Sequence, residues 1–594
     1  MILVGIADDH CASCAISING EIVYAASEER FTRVKNDAGF PLNALEKGFE
    51  VLCIKPHEVD KFLFTQTDRR DFIAYEYKRE SLLSISDAQK LMHDYWEPRL
   101  AGKNYPKMLP LELLKSKESF QKGFYGIPIE YAFKEYSNEK YQHICKSALV
   151  KYFEIDEDKI EFIDHHTCHA YYALSTIKKR PEGPFAVVTV DSWGDGKNQT
   201  VWRGEENSIQ LIAQSSTCHL ARIYRFTTLY LGMRPNEHEY KVMGLSAYPE
   251  SSYSKEILTQ LSKLVKVEGL KIICPVKVEN MYNYLSDVYK GCRFDNIARA
   301  VQDLVENNLL ELFENIAKEV KVKNFFYTGG VAMNVKANQK ILESGHIKSL
   351  FVPGAPDDTS VPIGACLFYS SNKNLQLPFN SVKNMYLGES IEQIEPKDLD
   401  KINSQFKVTI KENISPNDIS KIIMNGEVVA RASGKMEFGA RALGNRSLFA
   451  LPSNWDSVDT INYLIKQRDF WMPFAGSVLE DDVEKVIGKS WKNSDPRFMT
   501  ISFKTISNYY PLFKAATHRK DKTIRIHVVT KEDNPWYYDL LEAIKCSLGI
   551  GVILNTSFNL HGYPVVRTKE EAINIFCKTE LKHLVLADSL ISKN

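Results

Sequence analysis

A β-turn-β pattern is written twice into this chain of 594 residues, and a recurring pattern narrows the available folds more than any single motif. Near the N-terminus the apolar run Met1 to Ala7 is followed by Cys14 to Ile18, the dipeptide Asn19-Gly20 and Glu21 to Ala26. Asn-Gly between two apolar runs is a strong hairpin signal, because both residues tolerate the positive φ of a tight turn. The pattern returns at Phe185-Ala186-Val187-Val188-Thr189-Val190-Asp191, then Trp193-Gly194-Asp195-Gly196 and Thr200-Val201-Trp202. In both copies an acidic residue stands where the first strand ends. A duplicated architecture is therefore expected.

A third element supports it. Asn324-Phe325-Phe326-Tyr327-Thr328 reads as a strand entering Gly329-Gly330-Val331-Ala332-Met333-Asn334 before a helix. Two glycines let backbone approach a ligand closely, and a helix N-terminus favours negative charge. Alone, such a stretch is only a turn. With the two hairpins it resembles the actin-like ATPase (ASKHA) fold of sugar kinases and heat-shock chaperones, which implies two related halves facing a nucleotide. Gly329, Gly330 and Asn334 are then candidate nucleotide contacts. Between these elements, Asp71 to Val150 and Tyr253 to Arg299 read as helical insertions. Ser370-Ser371-Asn372-Lys373-Asn374 reads as a linker. It divides an N-terminal domain over 1–372 from a C-terminal α/β domain over 383–594, although length alone suggests about three to four domain-sized units.

Asp164-His165-His166-Thr167-Cys168-His169 follows an apolar run and leads into Ala170-Tyr171-Tyr172-Ala173-Leu174, a helix start. Side chains four residues apart share a helix face, so His165 and His169 can hold one transition-metal ion. Zincin peptidases place Glu directly after the first histidine, where this chain has His166, which argues against that class. Taken alone, the motif also admits a structural role in capping or core hydrogen bonding. Asp191 and Asp358 are carboxylates that a metal site could recruit. Two imidazoles and two carboxylates suit Fe(II), Zn(II) or Mn(II) rather than a closed structural zinc site.

The densest basic stretch is Gly434-Lys435-Met436-Glu437-Phe438-Gly439-Ala440-Arg441-Ala442-Leu443-Gly444-Asn445-Arg446-Ser447, with Lys466-Gln467-Arg468 beyond it. Cations interleaved with glycines suit a phosphate pocket, with generic surface charge as the alternative. Asn555-Thr556-Ser557-Phe558-Asn559 follows the strand-like Gly551-Val552-Ile553-Leu554 and offers short groups for orienting a small polar substrate.

Seventy-five basic side chains balance 75 acidic ones, so net charge gives no reason to expect a nucleic acid or membrane partner. No apolar run approaches the roughly 18 residues of a spanning helix. Eleven cysteines without a framework suit a reducing cytoplasm, and the lone Cys11/Cys14 pair reads as small buried residues.

Six ordered blocks together resemble the NodU/CmcH-type O-carbamoyltransferase family. They are His10 with Glu28-Glu29-Arg30-Phe31-Thr32-Arg33-Val34-Lys35, the His-His-x-x-His-Ala block, Asn236-Glu237-His238-Glu239-Tyr240-Lys241-Val242-Met243-Gly244-Leu245, the Gly329 to Asn334 turn, Gly434 to Ser447, and Asn555 to Asn559. The resemblance implies an actin-like domain with an Fe(II)-type metal site and a YrdC-like C-terminal domain. The second would make carbamoyladenylate from carbamoyl phosphate and MgATP, and the first would pass the carbamoyl group to a hydroxyl of a small secondary metabolite or glycan. By position, His165, His169, Asp191 and Asp358 would be metal ligands, with Fe(II) or another divalent transition metal. His10 and Lys35 would face the adenylate, with His10 a candidate base. Arg441, Arg446, Lys466 and Arg525 would grip phosphates, beside Asn555 and Ser557.

Three positions depart from the family pattern: Met472 for the usual Arg, Cys11 for Asp and Ala440 for Pro. The alternative readings are a tRNA threonylcarbamoyl-transfer enzyme, which the balanced charge disfavours, and a non-catalytic nucleotide- or metal-binding scaffold. A hydrogenase-maturation carbamoyltransferase is less favoured still, because no acylphosphatase-like or paired-C-x-x-C region precedes the shared core. Either monomer or homodimer fits the sequence.

Overall fold

The computed structural model describes residues 1–594 except 70–82, 101–102, 107–111, 114–122, 129–130, 132–135, 277, 279, 375 and 467. Much of the expected insertion over Asp71 to Val150 therefore lies outside the described residues, as does Gln467. The chain divides into two compact units, Met1–Val382 and Lys383–Asn594.

In the first unit the N-terminal apolar run becomes β1 (Ile2–Ala7), antiparallel to β2 (Ser13–Ile18), which turns at Asn19-Gly20 into β3 (Glu21–Ser27). Both turn residues have positive φ, 53° and 87°, as a two-residue hairpin requires. β4 (Lys61–Phe64) and β5 (Ile160–Phe162) add parallel to β1, giving the order β3-β2-β1-β4-β5. The second hairpin repeats this: β6 (Phe185–Gly194), β7 (Lys197–Glu205) and β8 (Ser208–Ser215) form an antiparallel meander. After a small hairpin, β9 (Lys266–Glu268) and β10 (Lys271–Ile273), the strands β11 (Asn324–Thr328) and β12 (Ser349–Phe351) add parallel to β6. The second order, β12-β11-β6-β7-β8, is the first one again, with matching strand directions.

Two expectations need correction here. The Tyr253 to Arg299 insertion is not purely helical, since β9 and β10 pair within it. Ser370 to Asn374 is no linker, because it closes the helix Val361–Asn374. Polar residues in a last helical turn resemble loop composition, yet Ser370 and Ser371 are buried.

Helix Val361–Asn374 packs against β1 and against helix His165–Ser175, which itself lies on β6 and β11. Glycine makes this approach feasible. A Cβ on Gly5 of β1 would stand 2.1 Å from the Pro362 carbonyl oxygen, and one on Gly364 would stand 1.9 Å from the Cys168 carbonyl oxygen. Ala170 and Leu174 of the histidine helix share an apolar layer with Phe185, Val187 and Phe326 of the strands beneath it.

The second unit is built on one nine-stranded sheet. Its strands are β13 (Val408–Lys411), β14 (Val429–Ala432), β15 (Arg446–Ala450), β16 (Ala475–Leu479), β17 (Ser502–Lys504), β18 (Thr523–Val529), β19 (Val552–Ser557), β20 (His583–Leu586) and β21 (Ser589–Lys593). Their order is β13-β21-β20-β14-β15-β19-β16-β18-β17. Helices Pro416–Met424 and Pro535–Leu548 cover it through Ile419, Ile423, Leu540 and Ile544 against Phe449, Leu479 and Ile553. On β18, burial and then the nearby Arg497 charge push His527 down to about 3.

Gly364→Ala should lower stability by about 1–3 kcal/mol, the scale for forcing atoms into a packed interior. A reduced denaturant midpoint at unchanged secondary structure would show it. His527 should make the fold acid-sensitive. Its folded pKa lies below the unfolded value of about 6.5, so its contribution is full above that pH. It should fade as pH falls toward about 3, by at most about 1.4 kcal/mol per pH unit. A His527→Asn protein should show a shallower fall in unfolding free energy between neutral pH and pH 5.

Candidate metal centre and cation pocket

Asp164 caps the histidine helix, its Oδ1 accepting from the Thr167 N–H at 2.9 Å and the Thr167 hydroxyl at 3.0 Å. One turn apart on that helix, the His165 and His169 rings lie 4.7 Å centroid to centroid. Asp191 reaches them from β6, and Asp358 from a single 3₁₀ turn, Asp358–Ser360, before helix Val361–Asn374. His165 Nε2 stands 3.2 Å from Asp191 Oδ2 and 3.5 Å from Asp358 Oδ1. For His169 Nε2 the same distances are 3.4 and 3.2 Å. All four residues are buried.

This spacing fits a metal ion. Bonds of about 2.0–2.2 Å set neighbouring ligand atoms about 2.8–3.6 Å apart in tetrahedral or octahedral geometry. Two imidazole nitrogens and two carboxylate oxygens are also a borderline-hard donor set suited to divalent transition ions. Without an ion the cluster balances its own charge. Burial disfavours the His165 and His169 imidazolium forms, but Asp358 and Asp191 outweigh it and raise both pKa values. Burial likewise opposes the Asp191 carboxylate, but hydrogen bonds with the two histidines hold it well below the usual range.

His166, between them in sequence, has a different task. Its Nδ1 lies 2.6 Å from Thr189 Oγ1 and its Nε2 lies 3.2 Å from the Lys197 carbonyl oxygen. Both ring nitrogens are thus committed to β6 and to β7. The Gly329-Gly330 turn also serves the protein itself. Gly330 N–H donates to Asp191 Oδ1 at 3.2 Å, and a Cβ on Gly329 would stand 2.3 Å from the Val190 carbonyl oxygen. Asn334 caps the following helix through the Ala337 N–H at 3.1 Å and pairs with Gln302.

His10 stands at the edge of the cluster, Nδ1 3.2 Å from Asp9 Oδ1 and 3.6 Å from Asp358 Oδ2, with 31% of its side chain exposed. Arg69 Nη2 meets Asp9 Oδ1 at 2.5 Å, and Gln66 Nε2 donates to Asp9 Oδ2 at 2.6 Å. Lys35 Nζ lies 3.3 Å from Glu29 Oε2.

In the second unit, the buried Lys466 ammonium donates to Ser557 Oγ at 3.0 Å, Asn559 Oδ1 at 3.0 Å and Thr556 Oγ1 at 3.3 Å. Asn555 to Ser557, expected after a strand, are the end of β19, which places the hydroxyls beside the lysine. Arg446 is placed differently from a solvent-facing phosphate ligand. It is fully buried, and its Nη1 donates to the carbonyls of Ser433, Gly434 and Asn445, each at 3.1 Å. Glu437 Oε1 closes the same loop by accepting from the N–H groups of Leu443, Asn445 and Arg446 at 2.8, 2.8 and 3.1 Å. Asn555 braces Ala442 and Ser477. Arg441 and Arg525 are half-buried, on that loop and on β18, and Met472 is buried.

Two family models match this chain, the carbamoyltransferase N-terminus over residues 3–367 and the carbamoyltransferase C-terminus over 420–593. The chain belongs to the carbamoyltransferase family. An uncharacterized protein of Methanocaldococcus jannaschii is 30% identical over 100% of this chain and 99% of its own length. Nodulation protein NolNO of Sinorhizobium fredii is 27% identical, covering 98% of this chain and 79% of that protein. The 3'-hydroxymethylcephem-O-carbamoyltransferase of Amycolatopsis lactamdurans is 24% identical over 59% of this chain and 64% of its own. This member of the family is accordingly an enzyme, a carbamoyltransferase.

Sequence reasoning passed over Arg69, Gln66 and Glu437 in this carbamoyltransferase. Glu437 lies inside the Gly434 to Ser447 stretch, where nothing in the residue pattern signals its backbone partners. Arg69 and Gln66 lie within the polar run Thr65 to Asp71, which has no apolar periodicity.

His169→Ala should abolish stoichiometric binding of a divalent transition metal, measured by equilibrium dialysis with elemental analysis. His166→Asn should retain the ion while losing stability, because it breaks contacts to β6 and β7 and spares the four donors.

Proposed function

We propose that this enzyme is an ATP-dependent O-carbamoyltransferase working in two half-reactions. One observation carries the reading: a family match reaches both units, and each holds a different electrostatic site. The first has a two-histidine, two-aspartate cluster, and the second has a buried lysine among hydroxyls.

On this reading the first unit is an actin-like domain and the second a YrdC-like one, with carbamoyl phosphate and MgATP as substrates. Carbamoyl phosphate gives up inorganic phosphate to water, and an oxygen of the carbamate so formed attacks the ATP α-phosphorus and expels pyrophosphate. The mixed anhydride with AMP that results gives the poorly electrophilic carbamoyl group a good leaving group. Lys466 neutralises phosphate charge as it develops, with Ser557 and Thr556 orienting the oxygens. Arg441 and Arg525 add positive charge, while Arg446 and Glu437 hold the Gly434 to Ser447 loop in shape. In the first unit, His165, His169, Asp191 and Asp358 would hold a divalent ion such as Fe(II), which would supply Lewis-acid polarisation. His10, set by Asp9, takes the proton of the acceptor hydroxyl as its oxygen bonds to the carbamoyl carbon and AMP departs. Lys35 attracts the adenylate phosphate. The acceptor is a small hydroxyl-bearing metabolite or glycan. Among the described residues no helix is long and apolar enough to cross a membrane, and all eleven cysteines are free thiols, which suits a reducing compartment such as the cytoplasm.

Pyrophosphate exchange into ATP, dependent on carbamoyl phosphate, tests the division. Lys466→Ala should lower exchange by about 100- to 1000-fold, the scale for losing one such electrostatic contact. His169→Ala should exchange normally and fail only in forming product, detected as a mass gain of about 43 Da on the acceptor. Loss of exchange in both proteins would argue for one composite site, and its absence from the unmodified enzyme would favour a scaffold.

A further inference from the structure

Asp195 joins two segments that are distant from it in the chain, the Thr67-Asp68 pair and the start of the histidine helix. It occupies the turn between β6 and β7 with Gly196, both at positive φ, 46° and 76°. Two-residue turns of this kind take Asn or Asp before Gly with equal ease. Turn chemistry therefore does not explain a carboxylate here, but the hydrogen bonds do. Asp195 Oδ2 accepts from the His165 N–H at 2.7 Å, at the start of the metal-ligand helix. Asp195 Oδ1 accepts from the N–H groups of Thr67 and Asp68 at 2.9 and 2.7 Å. Donors thus arrive at both oxygens. A carboxylate accepts on each side, whereas an amide offers one oxygen and turns a donor toward the other set.

The same turn touches His165 a second time. A Cβ on Gly194 would lie 2.2 Å from His165 Cδ2 and 2.5 Å from its Cγ, so the imidazole rests directly on the turn backbone. This matters because His165 Nδ1 is buried and has no hydrogen-bond partner among the described residues. Metal-bound histidines are ordinarily oriented through that second nitrogen. His169 has Thr328 Oγ1 at 3.4 Å from its Nδ1. For His165, the main-chain anchor and the flat contact take over that role.

We propose that Asp195 is a positioning residue for the metal centre, fixing His165 through its backbone and tying it to the Gln66–Arg69 segment that holds Asp9 and His10. The tie is continuous: Thr67 and Asp68 bind Asp195, while their neighbours Gln66 and Arg69 bind Asp9, which lies against His10. One carboxylate thereby sets His165 and the proposed base His10 in one frame. The inference rests on the metal reading of the four-residue cluster.

Co(II) is the probe, since its visible spectrum reports ligand geometry. Asp195→Asn preserves the turn and the residue volume but replaces one acceptor by a donor. It should weaken Co(II) binding by about 10- to 100-fold, the range for losing an outer support of a ligand, and shift the Co(II) spectrum while the far-ultraviolet circular dichroism stays that of the folded protein. Asp195→Ala should weaken binding at least as much, and it stands in should the Asn protein fold poorly. Wild-type affinity and spectrum in both variants, alongside lost binding in His165→Ala, would overturn the role of Asp195 and leave the metal reading intact. Equal absence of Co(II) from wild type and His165→Ala would overturn that reading and this inference with it.

Discussion

Burying two carboxylates together is the constraint on which the first unit depends. Asp191 and Asp358 lie away from water, where an unpaired charge costs several kcal/mol. His165 and His169 offset that cost, and so can a divalent ion bound in the same place. The four residues come from three elements: a strand end, a 3₁₀ turn and a helix that carries both histidines. The cluster therefore exists only when both sheets are formed, and the close glycine contacts at Gly5 and Gly364 place the elements that carry it. A site of this kind is inseparable from its fold.

The second unit solves the opposite problem, that of keeping positive charge in a polar but neutral setting. Lys466 is met by hydroxyl and amide oxygens, and Arg446 by main-chain carbonyls. Such oxygens satisfy hydrogen bonds without neutralising the charge, so a guest anion remains electrostatically welcome. Glu437 uses three main-chain N–H groups that would otherwise form an anion-binding nest of their own. The loop's shape is thus set from inside, and Lys466 stands on a different element from the arginine that braces it.

Much of this was legible in the sequence, for identifiable reasons. Hairpins and parallel strands announce themselves through apolar runs and turn dipeptides, so the duplicated sheets were readable. His165 and His169 were readable because helical spacing is local. Asp191 and Asp358 were readable only as carboxylates a metal site could recruit, and their pairing with that helix came from the family resemblance, since nothing local says that a residue far along the chain meets it. Residues whose work is done through backbone groups stayed hidden. Asp195 looks like any turn residue, and Glu437 like any surface acid, until their partners are seen. Ser370 to Asn374 misled because composition does not distinguish a buried helix end from a tether.

The wide sequence separation of the four donors also orders events in time. His165, His169 and Asp191 leave the ribosome well before Asp358 does, and at about 5–20 residues per second the interval is on the order of 10–30 s. During it the nascent chain carries two histidines and one aspartate with the fourth position open. Newly made protein therefore passes through a stage in which three of the four groups are present without the geometry of the finished cluster. On the metal reading, which ion the finished site takes can be decided by the supply during synthesis as well as by the affinity of the folded enzyme.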